Sequence, residues 1–273
     1  MGLPSGFGAG RCRRDRRYGP RNRSGNFRVD GGMTMSGWAQ KRFWKSAETT
    51  QVEDGFAVTL EGRRIKTPAK SPLIVPSEAL ARAIADEWMA QEEVVKPATM
   101  PFTRAANAAI DKVAIQKKEV ADMLAAYGDA DLLCYRAESP QELVDRQEQA
   151  WNPPLDWAEK EFGVRLQPRV GVMHAAQEPE ALEALAREVH RLNAFELAAF
   201  HDLVALSGSL VLGFAAARDW KPIDEVWNIS RVDDLWQEEQ WGRDEEAHAQ
   251  ATYKLGEFRN AKAFWDLCAD SSD

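Results

Sequence analysis

The sequence QVEDGFAVTL, residues 51–60, sets the architecture of the N-terminal region. Asp54-Gly55 is a hairpin turn signal, and strand-forming residues lie on both sides of it. Two further short strands are predicted at 64–67 and 73–75, separated by prolines. We therefore expect three or four strands in a small antiparallel sheet, which needs a helix to cover it.

Almost all of the chain beyond this sheet has helical periodicity. Ser77 is a typical N-cap, and Gly163 is a typical helix stop. Helices are predicted over 77–93, 101–127, 140–162, 178–192, 194–207, 209–217, 222–241, 244–255 and 257–269, with a short extended return at 164–172. The predicted fold class is α+β: a small antiparallel β-rich N-terminal domain with a covering helix, residues 35–96, followed by a larger all-α helical domain, residues 97–273.

Residues 1–34 form a leader of different composition. They hold eight arginines, two aspartates and few large apolar residues, so we expect them to be disordered. An Arg-rich N-terminus is compatible with a cleaved organelle transit peptide. The alternative that we favour is a mis-assigned start, in which translation truly begins at Met33 or Met35.

The net charge argues against two classes of partner. The whole chain carries −8 and the leader +6, which leaves −14 on the remainder. Such an acidic body repels nucleic-acid phosphates and anionic membranes, so we expect neither nucleic-acid binding nor membrane insertion. Two interpretations stay open: a surface that suits a basic partner, and a surface that only confers solubility.

The chain has few residues arranged for catalysis. Its three cysteines and four histidines form no metal-binding spacing, and no phosphate loop, serine elbow or dinucleotide fingerprint is present. We therefore expect no catalytic residues, metal or cofactor. Asp129 and Asp131 are best interpreted as a turn with helix capping. The alternative is a small-molecule enzyme that uses these two carboxylates together with Glu239.

Residues 230–242, SRVDDLWQEEQWG, interleave two tryptophans with four acidic residues. On a helix Asp233, Gln237 and Trp241 share one face, whereas Arg231, Leu235, Glu239 and Arg243 share another. One interpretation is a solvated helix on which Glu239 pairs with Arg231 or Arg243. The other is an aromatic and acidic patch that binds a protein.

Four motifs in order resemble one known family. They are Lys41-Arg42-Phe43-Trp44 with Val58–Arg63, Lys66-Thr67-Pro68 and Leu73; Met100–Asp111; Tyr127–Arg136 with Trp151, Pro153, Leu155 and Trp157; and Ser230-Arg231 with Trp236–Gly242. Together they are similar to the ATP synthase F1 complex assembly factor 2 family. The likeness extends over residues 38–264 and leaves out the leader.

The resemblance implies a function that composition alone does not. Members of this family have a small β domain joined to a larger helical domain, and they are not enzymes. They bind the newly made alpha subunit of F1-ATPase and shield the surface that later meets the beta subunit. By this resemblance we expect a non-catalytic assembly chaperone, monomeric when free, in the bacterial cytoplasm or, as the alternative, the mitochondrial matrix. A generic helical adaptor is a further alternative.

The resemblance also implies which residues bind the partner. The family's functionally important acidic residue falls on Glu239, flanked by Trp236, Gln237 and Trp241. We expect Glu239 to meet a basic group of the alpha subunit while the two tryptophans exclude water. Asp233 and Arg231 complete the predicted partner-binding set. Asp234-Leu235 departs from the family pattern, in which a further acid is expected before Trp236.

Overall fold

The structure is a computed structural model that describes residues 41–269. The predicted leader, residues 1–34, lies outside the described residues. From residue 41 the chain forms a small sheet and then a series of helices, so the predicted α+β fold class is confirmed. The boundary between residues 35–96 and 97–273 stays a prediction.

The N-terminal sheet has the antiparallel pairing that its turn signals predict. Strand β1 (Ala47–Val52) pairs with β2 (Gly55–Leu60), and β2 also pairs with β3 (Arg63–Arg64) and with β4 (Ile74–Val75). The strand β2 is central and turns Val58 and Leu60 into the core. An apolar face of this size needs cover, because a few short strands cannot protect it from water.

Helix α1 (Glu78–Met89) supplies this cover. The Ser77 hydroxyl accepts a hydrogen bond from the Leu80 amide at 3.0 Å, which confirms the predicted N-cap. Leu80 and Ile84 are fully buried in the cluster that contains the sheet. Phe264, from the last helix of the described residues, joins the same cluster, so residues close to both ends of the described chain build this core.

The remaining helices follow in chain order. They are α2 (Pro101–Ala108), α3 (Lys117–Ala125), α4 (Gln141–Phe162), α5 (Pro179–Arg191), α6 (Ala194–Ser207), α7 (Leu210–Ala217), α8 (Ile223–Ser230), α9 (Val232–Trp241) and α10 (Glu245–Ala269). Gly163 has φ 74° and ends α4, as predicted. The predicted extended return contains β6 (Arg169–Val170), which pairs in parallel with β5 (Tyr135–Arg136).

Four predicted helix bounds are wrong. The helix predicted over 77–93 ends at Met89. The predicted helix over 101–127 is interrupted by a π-turn at Ala109–Val113, where the Asp111 carboxylate accepts hydrogen bonds from the Thr67 hydroxyl and the Ala69 amide. The predicted break at Gly256 does not occur: α10 is continuous, because Leu255 and Phe258 both pack into the larger core.

The predicted helix over 222–241 is also divided in two. The Trp151 indole donates a hydrogen bond of 2.8 Å to the Ile229 carbonyl, and the Ser230 hydroxyl bonds back to the Trp227 carbonyl. The carbonyl groups at the end of α8 thus accept hydrogen bonds from side chains. The chain therefore starts again as α9 after Arg231, and this break sets the direction of the predicted binding helix.

The larger core surrounds α7. All eight residues of α7 are buried, and Phe214 packs on Phe200 and Phe162 with ring centroids 4.6 and 4.9 Å apart. A Cβ atom at Gly213 would lie 2.6 Å from a methyl carbon of Val204, so only glycine permits this approach of α7 to α6. Gly213 thereby allows α7 and α6 to pack closely.

Candidate functional site

The helix α9 lies against α4 and exposes most of its surface. Trp236 alone among its ten residues is buried, with 7% of its surface exposed. Asp233 accepts a hydrogen bond of 2.7 Å from the Gln147 amide on α4. These two contacts fix α9 beside α4 and leave its other side chains on the surface.

A groove of about 750 Å³ runs along one face of α9. Its floor and walls come from three segments: Tyr135–Pro140 with Leu143 and Gln147, then Gly171-Val172, and finally Asp233, Trp236, Gln237, Gln240 and Trp241 of α9. The predicted common face of Asp233, Gln237 and Trp241 is thus confirmed, since all three line the groove. Its size suits a few side chains of a partner.

Large apolar side chains stand at the rim of this groove. Trp241 is 78% exposed and Val172 is 91% exposed, and the neighbouring Met173 is 80% exposed. Among the described residues, no lysine or arginine forms an ion pair with Glu138 or Asp233, which also line the groove. Arg136, which is buried, also lines the groove. The groove therefore combines exposed apolar rim residues with two carboxylates and one guanidinium, a composition typical of transient protein interfaces.

Glu239 lies on a different side of α9 and faces α4. Its carboxylate accepts a hydrogen bond of 2.6 Å from Arg146, whose guanidinium carbon lies 4.8 Å from the centre of the Trp236 ring. Arg146 also contacts Glu142, one turn earlier on α4, at 3.3 Å. The Glu239 carboxylate raises the pKa of the Arg146 guanidinium. Arg146 thus joins Glu239 to Trp236.

Of the two interpretations of this segment, the one in which Glu239 pairs with Arg231 or Arg243 is wrong, because Glu239 pairs with Arg146. Arg231 instead pairs with Asp234 and lies over the Trp227 ring, and Arg243 pairs with Glu245. The spacing of i and i+4 identifies residues on one helix face, but it does not include a cation presented by another helix. Of the predicted set, Trp236 and Glu239 meet through Arg146, whereas Gln237 and Trp241 lie in the groove.

Sequence reasoning did not identify Arg146 or Gln147. Both lie on α4, 93 and 86 residues away from their partners on α9. The signals present in the sequence were the helical pattern over 140–162 and the surplus of acid in α9, and neither identifies which residue of α4 faces α9. This contact depends on the packing of helices distant in sequence.

The structure gives Asp131 and Asp129 separate structural roles. Asp131 is completely buried and accepts hydrogen bonds from the Leu133 and Val211 amides, so it caps two segments at once. Its capping interpretation is confirmed. Burial raises the pKa of Asp131 to about 6. Asp129 accepts a hydrogen bond from the Gln177 amide and lies 3.4 Å from His174.

The described cysteines are unsuited to nucleophilic chemistry. Cys134 and Cys268 are buried free thiols, and burial raises the pKa of each to about 12. Within residues 41–269, no group of three or more histidine, cysteine or acidic side chains is arranged to hold a metal ion. The same residues contain no helix long and apolar enough to cross a membrane.

Comparison with known proteins agrees with this fold. Residues 41–159 match the family model of the ATP12 chaperone protein. The mitochondrial protein atp12 of Schizosaccharomyces pombe is 28% identical over 220 residues, which are 76% of each chain.

Solved structures are more similar still. The crystal structure of Atp12 from Paracoccus denitrificans is 47% identical, with a TM-score of 0.82 over 84% of this chain and 98% of that one. A candidate chaperone of Agrobacterium tumefaciens, the Atu1473 protein, is 41% identical, with a TM-score of 0.80 over 83% of this chain and 85% of that one. The resemblance drawn from the motifs is confirmed, and the chain belongs to the ATP12 chaperone family.

Proposed function

We propose that this chain binds the free alpha subunit of F1-ATPase and shields its beta-facing surface until the hexamer forms. Membership of the ATP12 family supports the broader role, that of a chaperone in ATP synthase assembly. The choice of the alpha subunit as client is the proposal. We also propose that the protein is no enzyme and acts as a monomer in the bacterial cytoplasm, with the mitochondrial matrix as the alternative.

The observation that carries this proposal is the groove beside α9 with its exposed Trp241. An unassembled subunit exposes a large apolar interface, and such a surface drives aggregation unless another protein covers it. A chaperone that later releases its client needs a transient interface, which is more polar than a permanent one. The apolar rim and the acidic side chains of this groove, Glu138 and Asp233, meet both requirements.

The enzyme alternative has less support. Asp131 is buried and occupied by two backbone amides, so it offers no carboxylate to a substrate. Glu239 pairs with Arg146, whereas Asp129 contacts Gln177 and His174, so no shared contact brings these two carboxylates together. The generic adaptor alternative differs from the chaperone only in its partner, and it is decided by a binding experiment.

The test is light scattering of isolated alpha subunit on warming, with and without an equimolar amount of this protein. We expect suppression of aggregation near one-to-one stoichiometry, and no suppression for beta subunit or for an unrelated aggregating protein. If the alpha subunit aggregates as before and no complex appears on a sizing column, the proposed client is wrong.

A charge reversal at Glu239 tests the site. We expect Glu239→Lys to abolish the suppression, because a lysine repels the basic group that the carboxylate is proposed to meet. The matched control is Glu161→Lys, since Glu161 also pairs with an arginine distant in sequence, Arg218, which follows α7. Unchanged binding by the Glu239→Lys variant, or an equal loss in both variants, would contradict the assignment of the site to α9.

A further inference from the structure

Arg146 occupies a position that an arginine from another protein would also fit. Its guanidinium lies over the face of Trp236, 4.8 Å from the ring centre, with Glu239 at 2.6 Å on one side and Glu142 at 3.3 Å on the other. A flat guanidinium combines stacking on an aromatic ring with hydrogen bonds in its plane, which the compact ammonium of lysine does less well.

Trp236, Glu239, Glu142 and Arg146 form a corner between α9 and α4. The charges at this corner do not balance. Two carboxylates, Glu142 and Glu239, face the single cation Arg146, so the corner carries one surplus negative charge. On the groove side of Trp236, Asp233 hydrogen-bonds Gln147 and interacts electrostatically with the buried guanidinium of Arg136, so the surplus charge comes from Glu142 and Glu239. The corner therefore has room in its charge balance for a second cation.

A similar cluster around Arg218 has balanced charges, so the surplus of negative charge is not common to every such cluster in this protein. Arg218 lies 4.7 Å from the Phe162 ring centre and pairs with Glu161 and Glu188, in the same arrangement of a cation between two acids. There, however, Arg191 also pairs with Glu188. Two cations meet two carboxylates, so the Arg218 cluster is neutral and has no surplus charge to offer.

Arg146 can also leave Glu239 without losing every partner. Its side chain is 37% exposed, and Glu142 lies one helical turn before it on α4. Exposed ion pairs and exposed cation–π contacts each contribute little, so moving Arg146 from Glu239 and the Trp236 ring towards Glu142 changes a binding constant by about three- to thirtyfold. Such a shift frees both the Glu239 carboxylate and the face of Trp236.

From this geometry we propose that the corner of Trp236 and Glu239 is a binding site for a guanidinium group. Arg146 fills the site in the free protein, and an arginine side chain of the client replaces it in the complex. This inference rests on the proposed function, because it names the chemistry by which the client is recognised. Arg146 is then an internal competitor, which keeps the affinity modest and returns to Glu239 when the client leaves.

The first test compares the affinity of variants of the full chain for isolated alpha subunit. We expect Arg146→Ala to bind about three- to thirtyfold more tightly, because the competitor is removed from both Glu239 and the Trp236 ring. Glu239→Gln should lose binding with or without Arg146→Ala. The control Arg218→Ala removes the arginine of the balanced cluster and should leave the affinity unchanged. If Arg146→Ala weakens binding as Glu239→Gln does, Arg146 serves the interface directly and the proposal fails.

The second test does not depend on the identity of the client. N-methylguanidinium and methylammonium are titrated separately into the full chain, and the indole N–H resonance of Trp236 is followed by NMR. We expect a saturable shift with methylguanidinium at lower concentration in Arg146→Ala than in the wild type. The shift should be much smaller with methylammonium, and absent from the Arg146→Ala, Glu239→Gln double variant.

The two tests separate the possible failures. Equal responses to the two cations, or none, would overturn the guanidinium site whatever the client is. A guanidinium-selective response in a protein that binds no alpha subunit would uphold the site and overturn the proposed client. Because the NMR signal comes from the folded protein, dispersion of the other indole resonances shows at once whether a variant has unfolded.

Discussion

Helices α7 and α9 are of similar length and differ in what surrounds them. All eight residues of α7 are buried, whereas α9 buries Trp236 alone. The N-terminus of α7 is capped twice, since the Ser209 hydroxyl accepts from the Leu212 amide and Asp131 accepts from the Val211 amide. The N-terminus of α9 has no side-chain cap. The core encloses α7 on all sides, whereas α9 mainly presents its side chains to solvent.

This difference predicts which changes should affect folding and which should affect the proposed binding of a client. The apolar residues of α7 are explained by the core that they fill. Trp241 of α9, exposed at the groove rim, has no such explanation within the described chain. A large aromatic left in water contributes little to stability, but at an interface it becomes a strong source of binding energy. Substitutions in α7 should therefore lower the free energy of unfolding. Substitutions at exposed positions of α9 should weaken client binding and leave that free energy nearly unchanged.

The largest expected effect is the loss of an aromatic ring from α7. Phe214→Ala removes a ring that packs against Phe200 and Phe162, and we expect the free energy of unfolding to fall by about 3–5 kcal/mol. The matched change on α9 is Leu235→Ala. Leu235 is 42% exposed, so this substitution should lower the free energy of unfolding far less. Urea unfolding followed by circular dichroism measures both, and equal losses would contradict the contrast between the helices.

The second effect concerns the buried cap of α7. Burial raises the pKa of Asp131 to about 6 in the folded protein, against 3.8 for an unperturbed aspartate. The folded state thus holds this proton more tightly than the unfolded state. The contribution of Asp131 to stability is greatest below the unfolded pKa and falls as the pH rises through the folded pKa, by on the order of 3 kcal/mol in total.

Comparison with Asp131→Asn isolates this titration, because the other groups titrate alike in both proteins. We expect the unfolding free energy of the wild type minus that of the variant to decrease between about pH 4 and pH 7. Urea unfolding at a series of pH values measures the difference. A difference that stays constant over this range would show that Asp131 titrates alike in the folded and unfolded chains.

Local signals in the sequence predicted the elements that local contacts determine. Ser77 marked the start of α1 and Gly163 the end of α4, because a cap or a left-handed residue acts within one helical turn. The common groove face of Asp233 and Trp241 followed from helical spacing. The break at Arg231 did not, since it depends on the indole of Trp151, 78 residues from Ile229. The role of Arg146 was not predicted for the same reason, since it lies 93 residues from Glu239.

The third prediction concerns the exposed aromatic ring of α9. If Trp241 packs into the client, Trp241→Ala should weaken binding of the alpha subunit by about tenfold or more, and it should leave the unfolding free energy nearly unchanged. The matched control is Ile115→Ala, because Ile115 is likewise 75% exposed but precedes α3, away from the groove lining. Isothermal titration calorimetry with the alpha subunit measures the affinity of each variant. Equal affinities for the two variants would remove Trp241 from the proposed interface.

The smallest expected effect is that of Glu239→Lys on stability. The substitution breaks one exposed ion pair and places a lysine near Arg146, which still has Glu142 as a partner. Exposed pairs contribute about 0–1 kcal/mol, so we expect the unfolding free energy to change by less than about 1 kcal/mol. Thermal unfolding measures this change directly. If the variant instead lost several kcal/mol, its failure to bind would reflect a weakened fold, and Glu239 would resemble the packed residues of α7 rather than a residue that meets a partner.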